Sequence, residues 1–212
     1  MNTAIPQGLR ARRAHNELAA LRRLVSTNTG RLSGLKPRVR AGRLASVQVG
    51  LRVRTATRRD DRIVLERLNL QVLLVLDERW PHQAPQPFVV STAPLFVPGV
   101  LTPDGTVGDL LSRLALLGAT TPVAGQAPAP LCLHKKTDWR PRTHGLAWLV
   151  ARAWDVLRLS ESVLNHVDDA WNPAAARHWA RPANRGDLPS HGPLSLDDAA
   201  PSAPRWVVER RK

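Results

Sequence analysis

From about Gly8 to Val25 the apolar residues Ala14, Leu18, Leu21 and Val25 recur at helical spacing, with Arg12 and Arg23 on the opposite side. The pattern predicts an amphipathic first helix with a basic outer face. A stretch rich in Gly, Ser and Thr follows, expected to be a loop. From Leu44 to Arg54 the period changes to two: Val47, Val49, Leu51 and Val53 alternate with polar or small residues, as in a half-buried strand. Asp60-Asp61 supply a turn, and Ile63 to Leu76 returns as a more apolar strand. Phe88 to Val90 forms a third short strand, entered through the Pro-rich segment Pro81 to Pro87.

Beyond Leu101 the periodicity stops. A short helix is expected over Val107 to Leu117, inside a segment, residues 101–130, that otherwise lacks any repeat and reads as an insertion. From Thr143 a long helix is predicted, with Leu146, Val150, Ala153 and Leu157 on one stripe and Trp148 and Trp154 beside it. A last helix starts after Asn172-Pro173, because Pro suits a first helical turn and Ala174, Ala175 and Ala176 are strong helix formers. The expected class is α+β in one domain, residues 1–182, followed by a disordered Pro/Ala-rich tail, residues 183–212.

Charge changes this picture in one respect. The formal net charge is +14 over 212 residues, and it is concentrated in the first 70, which hold 16 basic and 4 acidic side chains. The first helix, through Arg12, Arg13, Arg22 and Arg23, is therefore the expected docking face for an acidic protein partner. Tyr is absent and Phe occurs twice, so the aromatic residues on which nucleic-acid bases usually stack are sparse, which argues against a nucleic-acid partner. The longest apolar stretch, Leu70 to Leu76, is too short to cross a bilayer, and no targeting signal precedes it. One cysteine excludes an intramolecular disulfide and a cysteine-based zinc site; the cytoplasm is the default location and no cofactor is expected.

That cysteine, Cys132, is the candidate centre of chemistry. Taken alone it reads first as a buried structural thiol, since Leu131 and Leu133 flank it; His134, Lys135 and Lys136 follow, and nearby cations favour thiolate and shift the balance toward a reactive one.

Five short segments, in order, bear on the choice: Trp80-Pro81-His82-Gln83-Ala84-Pro85, Phe96-Val97-Pro98-Gly99-Val100, Leu131-Cys132-Leu133, Trp139-Arg140-Pro141 and Asp168-Asp169-Ala170-Trp171-Asn172-Pro173. Together they resemble the Pro-rich turn, His-Pro-Asn motif, active-site Ile-Cys-Leu, Trp-Ser-Pro and Asp-Asp-Pro segments of the ubiquitin-conjugating enzyme family. The departures, Val97 and Gly99 for His and Asn and the insertion before Cys132, are more like its divergent bacterial members, found with a ubiquitin-like protein and an activating enzyme in antiviral operons. The resemblance implies a conjugating-enzyme fold: an N-terminal helix, an antiparallel meander sheet, an irregular cysteine-bearing segment and C-terminal helices. It implies a transferase that holds a ubiquitin-like modifier as a thioester on Cys132 and passes it to a target amine. His134 would assist proton transfer, and Asp168 and Asp169 would orient and deprotonate the incoming lysine. The implied partners are the modifier, the activating enzyme, the target protein and a deconjugating metallopeptidase. Two alternatives stay open: an inactive variant that binds modifiers or peptides, and a nucleic-acid-binding protein of similar fold.

Overall fold

The structure, a computed structural model, describes residues 7–101, 128–133, 139–165, 170–186, 188 and 191–196. Helix α1 (Gln7–Thr27) leads into five strands: β1 (Leu32–Arg40), β2 (Arg43–Arg59), β3 (Arg62–Val75), β4 (Gln86–Val90) and β5 (Pro128–Pro130). They form one antiparallel sheet in the order β1-β2-β3-β4-β5. Helices α2 (Leu146–Leu157), α3 (Glu161–Leu164) and α4 (Pro173–Ala180) follow, with a 3-10 turn at Pro182–Asn184. The chain is α+β, with an N-terminal helix, an antiparallel meander and C-terminal helices. No helix among the described residues is long and apolar enough to cross a membrane.

The long hairpin fixes the rest of the sheet. β2 and β3 pair without interruption from Ser46↔Val75 to Arg59↔Arg62, around a turn in which Asp60 takes φ 52°. Asp tolerates that left-handed geometry better than a branched residue would. Unbroken register keeps one face apolar: Val49 lies opposite Val72 and Leu51 opposite Leu70, and all four are buried. On this face α2 lays Leu146, Leu149, Val150, Ala153, Trp154 and Leu157, with Leu21 and Leu24 of α1 closing the core.

Three expectations need correction. The supposed loop before Leu44 is strand β1. It lies at the sheet edge, carries Gly34 at φ 55° and Pro37, and its register shifts between Ser33 and Leu35 and between Arg38 and Val39. Bulges break period two, and Pro is admitted because an edge strand has unpaired backbone groups. The insertion assigned to residues 101–130 ends in strand β5, which lengthens the sheet; residues 102–127, including the expected helix over Val107 to Leu117, lie outside the described residues. The tail, set at 183–212, folds back in its first part: Asn28 Nδ2 donates to Ser195 O at 3.0 Å, Ser195 N donates to Asn28 Oδ1 at 3.0 Å, and Leu194 is buried. Trp154 Nε1 and Arg158 hold the carbonyls of Gly192 and His191.

One charged contact positions α2. Glu17, 2% exposed, accepts a hydrogen bond from the backbone N–H of Leu146 through Oε2 at 2.7 Å, so a carboxylate of α1 caps the first turn of α2. Its Oε1 is ion-paired with Arg13 Nη2 at 2.5 Å, without the angle of a hydrogen bond. An added Cβ at Gly145 would overlap the carboxylate oxygens and come within 3.0 Å of Glu17 Cδ, so a side chain there would push the carboxylate off the Leu146 N–H.

Burial raises the Glu17 carboxyl above its ordinary value of 4.5, against the opposing pull of Arg13 and the Leu146 N–H. The folded chain therefore holds this proton more tightly than the unfolded one. The group's favourable contribution is complete below the unfolded value and disappears as pH rises through the folded one. Denaturant unfolding followed across the mildly acidic range should show this slope, and Glu17→Gln should remove it. Glu17→Ala should lower stability by about 2 kcal/mol near neutral pH, since it leaves the Leu146 N–H and Arg13 without their acceptor.

Candidate active site

Leu131 and Leu133, 1% and 4% exposed, anchor the cysteine segment in the core, and Cys132 between them is half-exposed. The end of β5 ties this segment to two others. Leu131 N donates to Pro87 O at 3.0 Å at the start of β4, and Leu101 N donates to Pro130 O at 3.0 Å. Val100 bridges Leu131, and Cys132 N donates to Gly99 O at 2.7 Å. The turn that receives the cysteine is Val97 to Val100, closed by Val100 N on Val97 O at 3.1 Å, with Pro98-Gly99 at its centre.

The third segment is the entry to α4. Asn172 N donates to Pro98 O at 3.0 Å, its side-chain Oδ1 accepts from Ala175 N at 3.0 Å as the helix cap, and Pro173 takes the first helical position. Trp179 Nε1 donates to Phe96 O at 3.2 Å, so the same helix grips the turn from its other end. Three stretches distant in sequence, around Pro98-Gly99, Cys132 and Asn172, thus meet through backbone hydrogen bonds.

Gly99 explains why no side chain stands where the resembled motif has Asn. A Cβ there would lie 2.7 Å from Val156 Cγ1 of α2 and 3.1 Å from Cys132 O. In the sequence Asn172 reads only as part of the Asp168-to-Pro173 segment. Among the described residues its Nδ2 is buried without a hydrogen-bond partner, in a residue 2% exposed whose backbone N–H is bonded to Pro98 O. A buried amide with one end used and the other unsatisfied is uncommon, since such a group costs roughly 1–3 kcal/mol. Periodicity carries no signal for it, because Asn before Pro reads as an ordinary cap.

After the cysteine, Trp139 is buried and its Nε1 donates to Pro81 O at 2.8 Å, joining the loop to the Pro-rich turn. His144 stacks on Trp148 at 4.0 Å and accepts from Arg140 N through Nδ1 at 3.1 Å. His134, Asp168 and Asp169 lie outside the described residues. Of the four arginines expected to form one docking face, Arg12, Arg22 and Arg23 are exposed on α1. Arg13 is not: its side chain is 20% exposed, pairs with Glu17 and donates to His144 O at 3.2 Å, so it is committed to the interior. Among the described residues no group of three or more His, Cys, Asp or Glu is placed to hold a metal ion.

No family model, no curated protein and no solved structure matches the chain.

Gly99→Ala should force the Pro98 turn away from α2, costing about 1–3 kcal/mol in thermal or denaturant unfolding. In the folded wild-type chain Cys132 should be alkylated by iodoacetamide without denaturant. A thiol that reacts only as the chain unfolds would place it in the core instead.

Proposed function

We propose that this chain is a carrier of the ubiquitin-conjugating type, which accepts the C-terminus of a ubiquitin-like modifier as a thioester on Cys132 and passes it to an amine. The observation that carries the reading is the convergence on Cys132: the only cysteine, half-exposed between two buried leucines, hydrogen-bonded to the Pro98-Gly99 turn, which is itself bonded to the Asn172 entry of α4. The α+β order of helix, meander, cysteine segment and C-terminal helices is compatible with the conjugating-enzyme fold that the five sequence segments resemble.

The chemistry follows from the groups present. The Cys132 thiolate attacks the carbonyl carbon of the modifier's C-terminal thioester on the activating enzyme. A new C–S bond forms to Sγ, and the activating enzyme's sulfur leaves as thiolate. A target amine then attacks the same carbon; the C–N bond forms, the C–Sγ bond breaks, and the ammonium proton passes to a base. Asp168 and Asp169, covalently three or four residues from Asn172, are the proposed carriers of that proton. Both steps place negative charge on the carbonyl oxygen. Gly99 has no side chain to meet it, and the unsatisfied Nδ2 of Asn172 is the donor we assign in its place. His134 is the second candidate donor. Arg12, Arg22 and Arg23 form the proposed docking face for the activating enzyme, and bacterial antiphage defence is the setting that the resemblance suggests.

In a reconstituted reaction with activating enzyme, ATP and modifier, Cys132→Ala should abolish an adduct that excess thiol cleaves, whereas Cys132→Ser should give a thiol-resistant oxyester. An adduct that persists in Cys132→Ala would make the chain a substrate rather than a carrier. Asn172→Asp keeps a capping oxygen and removes the amide donor, so it should slow both transfer steps about 10²-fold; the buried carboxylate should also lower the unfolding temperature, so the rates are compared well below it. Reversing the charge of Arg12 and Arg23 should slow loading and leave unfolding nearly unchanged, and Arg13→Glu should destabilise the fold.

A further inference from the structure

From Leu18 to Arg59 the chain contains no Asp or Glu and eleven Arg or Lys, and most of that charge belongs to the sheet rather than to α1. The register decides where it points. Val49, Leu51 and Val53 face the helices, so by strand alternation Gln48, Gly50, Arg52 and Arg54 occupy the opposite face. Across the strands, Lys36 lies opposite Gln48, Arg52 opposite Asn69, and Arg54 opposite Arg67. Lys36, Arg52 and Arg67 are exposed and Arg54 is half-buried. Among the described residues no carboxylate is in ion-pair range of any of the four.

Direct Arg–Arg opposition destabilises a sheet unless an anion sits between the side chains. The concentration of charge is also felt at the folded-back tail: His191 is held below the ordinary histidine value first by burial, then by Arg67, Arg31, Arg54 and Arg158. A protein partner would need an exposed apolar centre for its hot spots, but the groups between these cations are Gln48, Gly50, Asn69 and Gln71, and the apolar neighbours on this face, Leu65 and Leu73, are half-buried and buried. Cations interspersed with amide donors suit phosphate and sugar oxygens. The shortage of aromatic residues, which spoke against nucleic acid, excludes a base-stacking platform for single strands; the backbone of a duplex requires none.

We propose that the outer face of β1–β3, centred on Lys36, Arg52, Arg54 and Arg67, binds the phosphate backbone of double-stranded nucleic acid without reading its sequence. This surface is independent of Cys132 and of the thioester chemistry assigned to it.

The test uses the full-length chain and a labelled 25-base-pair DNA duplex in fluorescence polarisation, over a range of salt. Binding should be micromolar at about 0.15 M salt and equal for unrelated sequences, and log affinity should fall against log salt with a slope of about −4, for four phosphate contacts. Replacing Arg52, Arg54 and Arg67 by Gln should weaken binding roughly tenfold or more and cut the slope to about −1, with circular dichroism unchanged. The matched control is Arg12, Arg22 and Arg23 replaced by Gln, an identical change in net charge on α1, which should retain most of the affinity. Cys132→Ala should bind as wild type does. Equal losses in the two triple variants would reduce the effect to the attraction of any strongly basic protein and overturn the proposal. So would absence of duplex binding, or tighter binding to poly-glutamate or to phosphatidylserine vesicles than to the duplex.

Discussion

The buried carboxylate of Glu17 is the constraint on which the arrangement around Cys132 depends. It fixes the N-terminus of α2 against α1, through Leu146 N–H, beside Gly145, where a side chain would displace the carboxylate. Once its start is set, α2 crosses the sheet and its last turn puts Val156 against Gly99. The Pro98-Gly99 turn is thereby held where its carbonyls meet Cys132 N and Asn172 N. An ion pair at one end of a helix thus determines, through packing rather than contact, where the cysteine sits at the other. The energetic cost is visible in the carboxyl itself, which burial disfavours in its charged form.

The site is built almost wholly from backbone hydrogen bonds. That economy would suit the proposed carrier, in which the reacting acyl group is supplied from outside and the protein has to hold one sulfur exposed. Flanking leucines keep the segment from sinking into the core or lifting away. Trp139, through its bond to Pro81 O, and Trp179, through its bond to Phe96 O, brace the loops on either side. Each uses an indole as a large apolar body with one polar handle.

Much of the fold was legible because its elements bury a continuous stripe. The 47-49-51-53 alternation, the 146-150-153-157 stripe and the Asn-Pro-Ala start of the last helix each state their period plainly. Strand β1 was not legible, since two register shifts, Gly34 and Pro37 erase the alternation. Nor was the docked tail. It is held by Asn28, Arg31, Trp154 and Arg158 acting on main-chain carbonyls, which leave no pattern in the receiving residues. Arg13 belongs by sequence to the basic face of α1, but its ion pair with Glu17, which caps α2, turns both inward. The cysteine segment and the Pro98 turn stand out in the sequence as separate pieces, but that Asn172 is tied to the turn depends on a hydrogen bond between residues 74 positions apart in the chain, which no local pattern encodes.

The most direct test of Cys132 as an acyl carrier is the intact mass of the tagged chain recovered from its source cells in acid, without thiol. A fraction of the wild-type protein should carry the added mass of a small protein, mapped to the Cys132 peptide and removed on brief treatment with dithiothreitol. The Cys132→Ala chain should show none. A wild-type chain of unmodified mass under conditions where the modifier is present and being conjugated, or an addition that survives thiol and maps to a lysine, would contradict the account.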